Sequence, residues 1–265
     1  MKKSIALISA AILYYFCIAC NFQSDNKIKS NPSSENASVS DITSIYEWEE
    51  VSGGIKLTKY LDDEKKIVVP ASIGNKAVIS VGVAFSGNIV VEDIELPDSV
   101  KYGDFTGCKA LKRMVAPGIS SPHNLNMNGC DSLEYLDLSG IEELNETAFS
   151  YSLPVQELKL PKLKNFSLYQ FSYMPELRKL DISSATSISV GYYKWSSSLE
   201  EVKINENFDK YRISSDTGKV GMIYIDKYNP YDESDEDITQ SNISEVYCEL
   251  FQHEKIVING VEYKK

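Results

Sequence analysis

Along residues 111–204, apolar and polar positions alternate in short blocks that recur at a fixed stride, the step from Leu111 to Leu133. The blocks read Leu111-x-x-Met114-x-Ala116, Leu133-x-x-Leu136-x-Leu138, Val155-x-x-Leu158-x-Leu160, Leu177-x-x-Leu180-x-Ile182 and Leu199-x-x-Val202-x-Ile204. Alternation over the last three positions of each block is the period-two signal of a short strand with one buried face. A second apolar file keeps step with the first. Phe85, Phe105, Met127, Phe149, Phe171 and Tyr193 each stand six residues before the next block. Leu144, Phe166 and Ile188 make a third file at the same stride.

Self-similarity at a constant period in the range 20–29 residues, with the shape L-x-x-L-x-L, is the signature of a leucine-rich-repeat solenoid. The expected fold is therefore a mainly β repeat solenoid of about seven coils, counting those before Leu111. It is a right-handed leucine-rich-repeat coil with a parallel sheet on its concave side and β-hairpin caps. Stacked strands lie about 4.8 Å apart. No coil can bury its apolar face alone, so stability accumulates between neighbours and both ends need covers.

The flanks supply those covers. Tyr46–Val51 and residues 55–60 flank Gly53-Gly54, which predicts a hairpin with a tight turn between them. Residues 45–66 are assigned to this N-terminal cap and 67–211 to the solenoid. After Ile204 the stride fails, and residues 212–265 are assigned to a C-terminal cap. Within it, residues 222–225 and 246–251 read as strands and 229–240 as an exposed acidic loop. Residues 256–263 read as a hairpin, with Asn259-Gly260 at the two positive-φ positions.

Residues 1–20 carry a targeting signal: Lys2 and Lys3, an apolar run over 5–18, then Ala19 before Cys20. The run Cys17-Ile18-Ala19-Cys20 resembles a bacterial lipobox. That resemblance implies lipidation at Cys20 and export to the bacterial envelope, with the membrane reached through the lipid anchor only. An ordinary cleaved signal peptide and an uncleaved anchor helix are the alternatives. Residues 21–44, rich in Ser, Asn, Lys, Glu and Asp, read as a flexible tether.

A second resemblance covers about residues 46–211. Val69-Pro70, Ile73, Lys76, Val78, Val81-Gly82, Ala84-Phe85 and Gly87-Asn88 are similar to the opening run of the bacterial surface-antigen, or BspA-like, leucine-rich repeats. The following segment, Ile94-Glu95-Leu96-Pro97-Asp98-Ser99-Val100 and then Phe105-Thr106-Gly107-Cys108, matches that family's repeat consensus. The resemblance implies a surface protein of adhesion or host interaction.

Charge and chemistry narrow the function. With 27 basic against 38 acidic side chains, the chain is a poor partner for nucleic acid. There are two histidines, His123 and His253, far apart in sequence, and no nucleophile elbow, phosphate loop or paired-cysteine metal spacing. No catalytic residue, metal site or cofactor is expected. Cys108 and Cys130 occupy equivalent places in consecutive coils, and reduced core thiols are favoured over a disulfide between them. The acidic run over 232–237 lacks the spacing and glycine of a calcium loop and reads as solvated.

Two groups of residues suit ligand binding. The third and fifth positions of each block face outward, and from Glu157 onward opposite charges neighbour one another there. Arg113, Val115 and Tyr135 stand outside that checkerboard and form a candidate patch. Tyr151, Tyr173 and Trp195, again one stride apart, replace the Gly87, Gly107 and Gly129 of earlier coils. These rings line an exposed edge suited to sugars or peptide side chains, or else pack on one another to cover it. The expected role is a monomeric, lipid-anchored surface protein that recognises a protein or glycan. The competing role is an accessory envelope protein docked to another envelope subunit.

Overall fold

The computed structural model describes residues 44–144, 149, 152–167, 171, 173–190, 198–205, 212–213, 223–225, 236–237, 244, 248, 251 and 254–265. Residues 1–43 with Cys20, as well as Tyr151, Tyr193, Trp195 and His253, lie outside them.

The first block position to pair is the fourth. Ile67, Ile94, Met114, Leu136, Leu158, Leu180 and Val202 are in register, one strand to the next, through a parallel sheet. Their strands are Lys66–Val68, Asp93–Glu95, Arg113–Val115, Tyr135–Asp137, Glu157–Lys159, Lys179–Asp181 and Glu201–Lys203. Seven rungs enclose six turns of a solenoid. An eighth parallel strand, Lys255–Ile258, aligns Ile258 with Val202 and then turns back into the antiparallel strand Val261–Lys264. The expected hairpin turn is present, with φ of 49° at Asn259 and 80° at Gly260.

The pattern of burial explains why the strands are so short. In rung after rung the middle residue is buried and its two neighbours are partly exposed, as in Arg113–Val115, Tyr135–Asp137 and Glu157–Lys159. The first, fourth and sixth block positions all enter the core: Leu133, Leu136 and Leu138 are fully buried, as are Val155, Leu158 and Leu160. Opposite them runs the aromatic file. Phe85 stacks on Phe105 at 5.6 Å, Phe149 lies 5.9 Å from Phe171, and Met127 is buried between the two pairs in the sequence of coils. A ring of this size buries roughly 150–250 Å².

The N-terminal hairpin, Tyr46–Val51 with Gly54–Tyr60, finishes that aromatic file. Tyr60 lies 5.3 Å from Phe85 and 5.5 Å from Tyr46, so two tyrosines close the end of the phenylalanine stack. The turn differs from expectation by one residue. Ser52 and Gly53 form it, and Gly54 opens the second strand opposite Val51. Glycine is needed at 54 for space: a Cβ there would sit 2.3 Å from the Ala77 carbonyl oxygen. The hairpin joins a second sheet, ordered Tyr46–Val51, Gly54–Tyr60, Lys76–Gly82, Tyr102–Asp104, Leu125–Asn126.

A third sheet forms on the later coils. Asn165–Ser167 pairs in parallel with Ser187–Val190, placing Phe166 beside Ile188 as the third file requires. Ile223–Ile225 then adds to Ser187–Val190, so this sheet continues beyond residue 211, where the expected solenoid ended. Two expectations in the tail need correction. Glu236 and Asp237, expected in a loop, pair antiparallel with Arg212–Ile213. Cys248, expected in a strand, is helical. Cys248 and Phe251 are both buried, and burial three residues apart follows helical rather than alternating periodicity.

Candidate functional site

The outward face of the nine-stranded sheet is built from the third and fifth positions of every rung. Because side chains alternate along a strand, burying the fourth position forces these two outward. The parallel register, one rung to the next, then stacks them in two columns. Lys66, Asp93, Arg113, Tyr135, Glu157, Lys179 and Glu201 make the third-position column, and Val68, Glu95, Val115, Asp137, Lys159, Asp181 and Lys203 the fifth.

Arg113 does not stand outside the charge pattern, as its sequence context suggested. Its Nη1 donates to Asp93 at 2.8 Å and to Glu95 at 2.7 Å. Partial burial works against its charge, and the hydrogen bonds to Asp93 and Glu95 outweigh it, pushing the guanidinium up. Beyond it, the Tyr135 ring is flanked by two cations. Arg113 Cζ lies 5.2 Å from the ring centroid and Lys159 Nζ 5.0 Å. The interaction of Lys159 with Tyr135 leads the causes that raise its ammonium pKa, against the effect of burial. Asp93 and Glu95 thus fix Arg113, and Arg113 and Lys159 fix the ring.

Asp93, Glu95 and Lys159 were not singled out in the sequence, although the stride contains the signal for the last of them. Lys159 follows Tyr135 by one stride plus two positions, which makes it a diagonal neighbour on the same sheet face. Val115 lies beside Asp137 in the next rung and is half-buried.

Further along, the same face sinks into a shallow depression bordered by Glu157, Lys159, Lys179, Asp181, Glu201 and Lys203. The charges on its rim are partly matched internally. Lys159 is 3.7 Å from Glu157, and Lys179 is 3.6 Å from Glu201. At such separations these are solvated pairs contributing roughly 0–1 kcal/mol each.

A flanking column sits at the second block position. Glu92 accepts from Lys65 at 2.6 Å and from Lys112 at 2.8 Å, while Arg178 donates to Glu200 at 3.0 Å. The Lys112 hydrogen bond, helped by Lys65, holds the Glu92 carboxyl at about 2.

The candidate aromatic edge is represented by Tyr173, which is 48% exposed. Tyr151 and Trp195 lie outside the described residues. In the earlier coils, Gly87, Gly107 and Gly129 hold φ of 74°, 76° and 77°. A Cβ on Gly129 would come within 3.4 Å of the Gly107 Cα, so the glycine stack is close-packed backbone on backbone.

Cys108 and Cys130 are free, buried thiols. Cys108 Sγ donates to the Phe85 carbonyl at 3.0 Å, and Cys130 Sγ to the Phe105 carbonyl at 3.3 Å. Each ties its coil to the one before. The contact with Cys108 and burial together push the Cys130 thiol up, keeping it protonated.

Residues 126–216 match the family described as BspA type Leucine rich repeat region, in 6 copies. The coils before residue 126, whose motifs carried the resemblance most plainly, lie outside that stretch. No curated protein sequence matches the chain. Among solved structures, the chain is similar to a leucine-rich-repeat protein of T. pallidum, at 18% identity and a TM-score of 0.35, over 61% of this chain and 82% of that one. It is also similar to a leucine-rich cell surface protein from Faecalibacterium prausnitzii A2-165, at 20% identity and a TM-score of 0.35. That match covers 61% of this chain and 47% of the other, about half its length. A leucine-rich-repeat protein from Bacteroides ovatus ATCC 8483 matches at 16% identity and a TM-score of 0.24, over 60% and 69% of the two chains.

Proposed function

From the premise that this chain carries a BspA-type leucine-rich repeat region, we propose an exported bacterial surface protein that recognises a protein or glycan. The leader, with its Ala19-Cys20 pair, supports anchoring through lipid on Cys20 and a folded part held off the membrane by the tether. The observation that carries the recognition reading is the Tyr135 clamp. An aromatic ring whose orientation is set by Arg113 and Lys159 is a pre-ordered contact on a face whose charges are partly self-paired. Rigid aromatic and arginine groups dominate binding energy in interfaces, because little side-chain freedom is lost when they bind.

Tyr173, which is exposed, adds a second ring in a different part of the coil, whereas Tyr135 is half-buried. Adhesion to a host is the finer form of this reading. In the accessory form, the same face docks to another envelope subunit.

The test is a glycan and matrix-protein array probed with the full chain, alongside Tyr135→Ala and Tyr173→Ser variants. Binding by the wild type that falls about tenfold or more in Tyr135→Ala supports the reading. Binding untouched by both substitutions removes these residues from the site. Co-purification with one stoichiometric envelope protein, and no array signal, selects the accessory form.

A further inference from the structure

The two hairpins close different sheets. At the C-terminal end, Lys255–Ile258 and Val261–Lys264 extend the nine-stranded sheet itself. At the N-terminal end, the hairpin extends the second sheet instead, leaving Lys66–Val68 as the edge of the nine-stranded one. This edge faces outward with no neighbouring strand among the described residues.

The direction of its backbone groups follows from the bonds it does make. Lys65 C=O accepts from Asp93, and Val69 N–H donates to Glu95, so residues 65, 67 and 69 bond toward the second rung. In a parallel ladder the intervening residues bond to the other side. The N–H and C=O of both Lys66 and Val68 therefore point off the edge.

The charges on this edge are half of an alternation. Down the second-position column the sequence is Lys65, Glu92, Lys112, Glu134. Down the third-position column it is Lys66, Asp93, Arg113. Both columns begin with a lysine, and a further rung continuing them would carry acid. Arg113 takes the Asp93 carboxylate, leaving Lys66 with no ion-pair partner among the described residues. Beside it Val68 is 71% exposed, an apolar side chain heading a column that continues with Glu95, Val115 and Asp137. Asp62, Asp63 and Glu64, all exposed, lead into the strand and oppose acid at the partner's adjoining end.

We propose that Lys66–Val68 is a docking edge for an extended partner segment that adds as one more parallel rung. The segment carries an acidic residue beside Lys66, an apolar residue beside Val68, and no acid at the end near residues 62–64. Main-chain bonds to Lys66 and Val68 supply affinity, and the two side chains select the sequence, as in strand addition generally. This surface is separate from the Tyr135 clamp, so either can fail without the other.

The probe is a labelled hexapeptide, Lys-Thr-Glu-Val-Val-Thr, blocked at both ends, titrated into the full chain by fluorescence anisotropy. Hydrogen exchange reads the Lys66 and Val68 amides in parallel. Saturable binding that slows exchange at those amides is expected. Val68→Pro removes an N–H that bonds to no other described residue, so it leaves the thermal transition in place and weakens the peptide by about tenfold. Lys66→Glu weakens this peptide and favours Lys-Thr-Lys-Val-Val-Thr. Absence of binding, or equal binding by Val68→Pro, overturns the proposal. So does strong protection of the two amides in the free chain, since the edge is then already filled by this chain or a second copy; sedimentation separates those cases.

Discussion

The side-chain amide of Asn259 stands in for a missing coil at Ile204. Its Oδ1 accepts from Ile204 N–H at 2.9 Å and its Nδ2 donates to Ile204 C=O at 3.2 Å. In every earlier rung the equivalent N–H donates to backbone of the following coil: Leu138 to Lys159, Leu160 to Asp181, Ile182 to Lys203. Asn259 ends that series with a side chain, and it does so from the positive-φ position of the final hairpin.

Asn259→Ala removes both bonds and puts a residue with a Cβ but no compensating contact at φ of 49°. The expected loss is about 1–3 kcal/mol, the cost of leaving buried backbone groups unpaired. Asn259→Asp keeps the acceptor but turns an oxygen toward the Ile204 carbonyl, so it should also destabilise. Denaturant unfolding measures the loss, and faster amide exchange at Ile204 locates it. Unchanged exchange there would show that the amide is replaceable by water.

Leu136 lies in the middle of the leucine file and is fully buried. Leu136→Ala should cost about 2–5 kcal/mol through lost transfer energy and the cavity left behind. Since each coil is stabilised by its neighbours, the effect reaches both halves of the array. Val68→Ala, on an exposed position of the edge strand, should stay within about 0.5 kcal/mol. Chemical denaturation of the two variants compares them directly, and similar losses would contradict the placement of the file.

The rungs were legible in the sequence because one stride sets both the strand and its buried residue. Leu136, Leu158 and Leu180 fall in one file, and Phe149 lies beside Phe171, for that reason alone. Lateral relations were harder to read. The Arg113 and Lys159 contacts on Tyr135 depend on which long side chain leans across to a neighbouring rung, and the stride is silent on lean. Asn259 was recognisable as a turn residue, but its partner lies 55 residues earlier across a segment with no repeat. The helical geometry at Cys248 was missed because a short apolar run fits either period until its partners are known. Which sheet the N-terminal hairpin would join was equally hidden, since both sheets offered it an edge.

Protonation of Glu92 should begin far below the ordinary carboxylate range. Lys112 and Lys65 hold it at about 2, so its contribution is present above the usual value near 4.5 and is lost as pH falls toward 2. The group is exposed, and the consequence is a titration rather than a large change in stability. Carboxyl-carbon NMR should place its midpoint well under those of unpaired glutamates. Lys112→Met should move that midpoint upward, and a midpoint indifferent to the substitution would dissolve the pair.

The N-terminal cap should fail in alkali before the rest of the array. Burial is the main cause raising Tyr46, with Tyr60 and Asp62 adding to it. Burial, with Asp62 next, pushes Tyr60 up to about 12. A raised pKa on an acid means the folded state favours the neutral phenol. The two tyrosines therefore contribute in full below the unfolded value of 10.0, and that contribution is lost as pH rises through it toward the folded value. Deprotonating either ring leaves a phenolate near the like charge of Asp62, and the hairpin should detach first. Amide exchange along Gly54–Tyr60 should accelerate above about pH 10 while Leu158 and Leu180 stay protected. Tyr46→Phe and Tyr60→Phe together remove the titrating groups but keep the rings, so the double variant should hold its cap at that pH. Loss of the cap at the same pH in the double variant would mean that some other group governs it.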